Sequence, residues 1–188
     1  MPKVVVAPQQ FHLVDYDPAV ITAVAEKLAG EIGLTADVTL QVDESTPFGR
    51  GTIESLDPPV VKIEGGAFEN PKRPKALSEH SVVETLGRVL HQLKDRLDPA
   101  FGAPPVGEAV DQMHQTAWDA YAMGRTARLG YEISRPRRQY HFRNRHGFTD
   151  VADAAFDRLW QGTGLTWADV EAACAETAAS PAGAVPLA

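Results

Sequence analysis

The residues best equipped for chemistry fall in two stretches. The first holds His80, Glu84 and His91, with Asp111 and His114 further along the chain. Imidazole and carboxylate groups one helical turn apart are ligands that zinc accepts. His80 with Glu84, joined by Asp111 and His114, is therefore a candidate metal set. Axial rise limits it. At about 1.5 Å per residue, His80 and His91 stand roughly 16 Å apart along a helix, and Glu84 and His91 about 10 Å. Metal–ligand bonds near ~2 Å bridge neither gap. Glu84 also has two structural readings. It completes a Ser-x-x-Glu capping box with Ser81, and it precedes Arg88 by four residues, the favourable order for a helix ion pair. A helix starting at Ser81 leaves His80 outside it, whereas Ser78 is an equally good cap one turn earlier.

The second stretch is Arg135-Pro136-Arg137-Arg138-Gln139-Tyr140-His141-Phe142-Arg143-Asn144-Arg145-His146. Guanidinium groups interleaved with aromatic rings neutralise phosphates and stack on bases. They also pair with carboxylates, within the chain or on another protein. Pro136 argues against a continuous helix at the start of the segment, so an exposed strand or loop is expected there, with Arg135, Arg137, Arg138, Tyr140, Phe142, Arg143 and Arg145 as a binding surface. No glycine-rich phosphate loop, nucleotide fingerprint or catalytic triad stands out. His12, His141 and His146 have no partner at a recognisable spacing, and Gly65-Gly66 and Gly162-Thr163-Gly164 read as turns.

The elements that must position these groups are legible in part. Residues 4–7 form a short edge strand. Asp17-Pro18 opens a helix whose apolar stripe is Val20, Ile21, Val24, Leu28 and Ile32, with Gly33 to end it. Val38, Leu40 and Val42 alternate as a half-buried strand. A weaker strand spans Gly51 to Leu56, and another runs over 60–64. After a polar, proline-marked connection over 70–75, a second helix runs from about Ser78 to Leu97, burying Val82, Leu86, Val89, Leu90, Leu93 and Leu97. A third is expected from about Glu108 to Leu129. Two short helices follow, capped by Thr149 and by Thr166 with Asp169. The fold class is α+β: a small mixed sheet of three to four strands packed against helices, in one domain over 1–179, with a loose tail over 180–188.

On the second helix, Glu84-Thr85-Leu86-Gly87-Arg88-Val89-Leu90 resembles the frame of the zincin metallopeptidases. In their minimal bacterial versions, the helix after the last strand carries His-Glu-x-x-His, often as His-Glu-Leu-Gly-His-Val-Leu. Leu86, Gly87, Val89 and Leu90 match that frame, and the order of elements matches over roughly 17–125. The three chemical positions do not match: Glu84 and Arg88 stand where the zinc-binding histidines would be, and Thr85 stands where the general-base glutamate would be. Arg88 is permanently cationic and cannot ligate a metal, and Thr85 has no useful basicity near neutral pH. The resemblance implies a retired peptidase site, with an ion pair in the former metal position.

Composition bounds the rest. The chain has 188 residues, 44% hydrophobic and 23% charged, which suits a folded domain with a core. No run approaches the ~20 apolar residues of a membrane span, so no membrane association is expected. The single cysteine, Cys174, cannot form an internal disulfide, which makes the cytoplasm the expected compartment. Net charge is -7, yet residues 125–145 hold seven arginines against one acid, Glu132. That window carries +6 and the remainder -13. An acidic chain disfavours dedicated nucleic-acid binding. The expectation is a catalytically inactive zincin-like module, without a cofactor, that contacts a protein partner or a second copy through the arginine segment and the polar side of the second helix. Two alternatives stand beside it: a zinc-dependent hydrolase using His80, Glu84, Asp111 and His114, and a nucleic-acid-binding protein acting through Arg135–Arg145.

Overall fold

A computed structural model describes residues 2–105 and 110–180. It is mixed α and β, as the sequence pattern predicts. Where the sequence reads as one domain over 1–179, the packing divides the chain into two compact units, Met1–Leu97 and Asp98–Ala188. Both fall in the ordinary size range of domains.

The first unit holds all the strands. Its sheet has the order β1-β2-β4-β3, from β1 (Val4–Ala7), β2 (Val38–Asp43), β3 (Gly51–Leu56) and β4 (Pro59–Glu64). β1, β2 and β4 are parallel, with Val6 opposite Leu40 and Leu40 opposite Val61. A parallel pair needs a crossover, and α1 (Pro18–Ile32) supplies it between β1 and β2. Asp17 caps α1 through the Ala19 amide, Pro18 occupies the first turn, and Gly33 ends the helix at φ 75°, a left-handed conformation that favours glycine. β3 runs antiparallel to β4 at the edge of the sheet. A two-stranded ribbon, β5 (Glu69–Asn70) with β6 (Arg73–Leu77), occupies the connection expected to be irregular.

α2 (Glu79–Leu97) follows the ribbon. The Ser81 amide donates to Ser78 Oγ, and the Ser81 hydroxyl is turned away to Glu69 O. Ser78 therefore caps the helix and the Ser81 box does not form, which places His80 inside the first turn. Val82, Leu86, Val89, Leu90 and Leu93 are buried as expected, while Leu97 is partly exposed. The polar side of α2 departs from its reading as a contact surface. Gly87, His91, Gln92 and Asp95 are buried too, so the helix shows polar groups to solvent mainly at Glu79 and His80.

The second unit is helical: α3 (Gln112–Arg128), α4 (Arg135–His146), α5 (Asp150–Gln161) and α6 (Trp167–Ala179). Its core joins Phe101, Trp118, Tyr121, Phe142, Phe156 and Trp167. The Thr149 cap and the Thr166–Asp169 capping box both form. α3 starts later than expected, with Asp111 as its cap; Glu108 and the tail over 181–188 lie outside the described residues. The largest correction is α4. The arginine segment is a helix, because Pro136 falls in the first turn, where a missing N–H costs nothing.

α3 and α5 meet at Gly124, where a Cβ would lie 2.1 Å from the Trp160 carbonyl oxygen. No side chain fits there without parting the helices. Gly124→Ala is expected to lower stability by about 2–3 kcal/mol, read as a shift of the urea unfolding midpoint with circular dichroism intact in native buffer. An unchanged midpoint would contradict this close packing.

Candidate functional site

Thr85 and Arg88 lie on α2, which packs beside the edge strand β3. Arg88 Nη2 donates to the Gly51 carbonyl of β3 at 3.2 Å, and Thr85 Oγ1 donates to the Ala67 carbonyl at 3.0 Å. Arg88 and Thr85 thus tie α2 to the sheet edge and to the turn before β5. A guanidinium, a hydroxyl and one carboxylate do not fit zinc, which needs at least three neutral or anionic donors from the protein. The alternative set is spent differently. Asp111 accepts from the His114 amide and from His114 Nδ1, both at 2.9 Å, while capping α3. Those contacts, the amide foremost, hold the Asp111 carboxyl below its usual range. His80 and Glu84 belong to the first unit. Among the described residues, no three His, Cys, Asp or Glu side chains gather as a metal site.

The arginine segment is sorted by the structure into two groups. The first is committed to the fold of the second unit. Arg143 grips Asp153 of α5 with two bonds, Nε at 2.7 Å and Nη2 at 2.6 Å, and Gln139 adds a third at 3.0 Å. Arg143, followed by Gln139, holds the Asp153 carboxyl below its ordinary range. Arg135 pairs with Asp157, one turn further along α5. Arg125 lies 3.8 Å over the Tyr121 ring, and Arg128 donates to the carbonyls of Trp160 and Gly162. Phe142, expected on the binding surface, is instead fully buried, stacked on His146 and edge-on to Phe156.

The second group forms a cleft of about 420 Å³ between α3 and α4. Arg137, Arg138, Arg145 and His141 line it from α4; Thr116 and Asp119 face them from α3. On an ideal helix, residues 137, 138, 141, 144 and 145 fall within about 120° and span roughly 12 Å. Tyr140 stands beside this stripe, 57% exposed, its ring 6.1 Å from the equally open Phe148. The lining thus carries three guanidinium groups and one carboxylate. His141, which the spacing of the sequence does not single out, enters because α4 is a helix that brings it between the arginines.

Compared with protein families, with curated proteins and with solved structures, the chain shows no match to any. Among the described residues, no helix is long and apolar enough to cross a membrane.

α4 is fixed in place by a histidine that the sequence also leaves unmarked. His146 is 4% exposed; Nε2 donates to the Met113 carbonyl at 3.0 Å, and Nδ1 lies 2.8 Å from the Thr177 hydroxyl, which donates to the Ala173 and Cys174 carbonyls. Burial pushes the ring's pKa down to about 4. A folded-state pKa below the ordinary value of 6.5 favours folding fully above pH 6.5, and that contribution drains away as pH falls toward 4. The loss expected over this window is on the order of 2–3 kcal/mol. Stability measured by urea unfolding at stepped pH should fall for the native chain, and the slope should flatten for His146→Gln. Equal slopes would refute the role of His146.

Proposed function

We propose that this chain is a catalytically inactive, zincin-like binding module that receives an acidic protein segment in the α3–α4 cleft. The observation that carries the reading is the division of labour on α4. Arg143 and Arg135 grip Asp153 and Asp157 of α5, while Arg137, Arg138 and Arg145 line one cleft together with His141. The zincin element of the proposal is supported by the antiparallel edge strand β3 and by α2 against it, tethered through Arg88. Inactivity follows from the donor set at Glu84, Thr85 and Arg88, which supplies neither a zinc ligand triad nor a base. The cytoplasm is the compartment proposed, on the lone buried Cys174.

A second reading, single-stranded nucleic acid, is favoured by the open ring pair Tyr140 and Phe148 beside the arginines. Protein takes precedence because the cationic stripe is only about two turns long and the chain as a whole carries -7. Extended phosphate backbones are repelled by such a chain outside that stripe.

Fluorescence anisotropy with a labelled deca-glutamate peptide and with an oligothymidylate of equal charge separates the readings. The peptide is expected to bind, and Arg137→Glu combined with Arg138→Glu to weaken it more than tenfold. Binding of the DNA alone, with a steep dependence on salt, would favour nucleic acid. One zinc per purified chain together with casein hydrolysis would overturn the non-catalytic reading.

A further inference from the structure

We propose that the outer edge of β1 is a self-pairing edge that Glu26 and Gln9 hold closed. β1 ends the sheet, beside β2. The Val38 amide of β2 donates to the Lys3 carbonyl. Bonding residues alternate along a parallel ladder. Residues 3, 5 and 7 therefore turn their backbone groups toward β2, and Val4 and Val6 turn theirs away from the sheet. An edge of this kind recruits another strand. Val4-Val5-Val6-Ala7 is uncharged and rich in β-branched residues, the composition that pairs most readily.

Side chains of the same unit occupy two of the outward groups. Glu26 of α1 accepts from the Val4 amide through Oε1 at 3.4 Å, and Gln9 donates from Nε2 to the Val6 carbonyl at 2.5 Å. The occupant they exclude is a second copy of β1. When two copies lie antiparallel about a two-fold axis at Val5, Val4 of one faces Val6 of the other, and each such pair exchanges two bonds. The bonds join two four-stranded sheets into one. Half of them run from a Val4 amide to a Val6 carbonyl, and both ends of these are held, by Glu26 on one side and Gln9 on the other. Residues 4–7 carry no charge that would oppose the pairing. At the other edge of the sheet, Arg88 occupies the Gly51 carbonyl of β3 in the same manner.

The test is sedimentation velocity of the full chain over a wide range of concentration. Gln9→Ala combined with Glu26→Ala should approach twice the native mass as concentration rises. Glu26→Gln keeps the Oε1 acceptor and should behave as the native chain. Adding Val5→Lys to the double variant sets two ammonium groups against each other on the axis and should return the mass to the native value. Val5 is 38% exposed, so this substitution leaves the core intact. The native chain should have the same mass with and without Val5→Lys. Thermal melts confirm that each variant folds. In the native chain, the Val4 amide that Glu26 holds should exchange with deuterium more slowly than the Val6 amide, a comparison that needs no variant. A double variant of unchanged mass, or the reverse order of exchange, would overturn the proposal. Association of the native chain that Val5→Lys abolishes would show the edge open and overturn it too. A dimer of the double variant that survives Val5→Lys would overturn the assignment to β1.

Discussion

A twelve-residue helix with five arginines repels itself, and α4 exists because α5 answers that charge. Asp153 and Asp157 stand one turn apart and take Arg143 and Arg135 respectively. The bidentate grip on Arg143 fixes the rotation of α4 about its own axis. That rotation buries Phe142, sets His146 between the Met113 carbonyl and Thr177, and turns residues 137, 138, 141 and 145 toward α3. The cleft is thus lined by arginines other than the two that grip α5.

The first unit follows a different rule: polar side chains of α2 serve as fasteners to its neighbours. Arg88 and Thr85 satisfy backbone carbonyls at Gly51 and Ala67. A carbonyl at a sheet edge has a free lone pair, and a long cationic side chain fills it while its stem packs along the helix. The frame of apolar residues around these positions, Leu86, Val89 and Leu90, remains an ordinary helix core.

Much of this was legible from residue order. Local signals carried α1, whose cap, proline and terminal glycine all sit where the structure has them, and the caps of α5 and α6. The alternation at Val38, Leu40 and Val42 carried β2. What escaped was decided by distance in sequence or by position within a turn. Pro136 reads as a helix breaker until its place in the first turn is known. His146 finds its partners 33 residues before it and 31 after, beyond any spacing rule. β5 and β6 pair through backbone groups that leave no apolar pattern. Polarity alone marked the second face of α2 as exposed, yet His91, Gln92 and Asp95 are buried. The cleft itself was out of reach, because it needs α4 to be a helix and α3 to lie beside it.

The central proposal is that the arginines lining the α3–α4 cleft, Arg137, Arg138 and Arg145, receive an anion, whereas Arg135 and Arg143 grip α5. Arginine side-chain NMR, following the Nε–Hε signals while inorganic phosphate is titrated in, reads that division residue by residue. The account predicts saturable shifts at Arg137, Arg138 and Arg145, with Arg135 and Arg143 unmoved. Uniform, non-saturating drift of all five signals would contradict it.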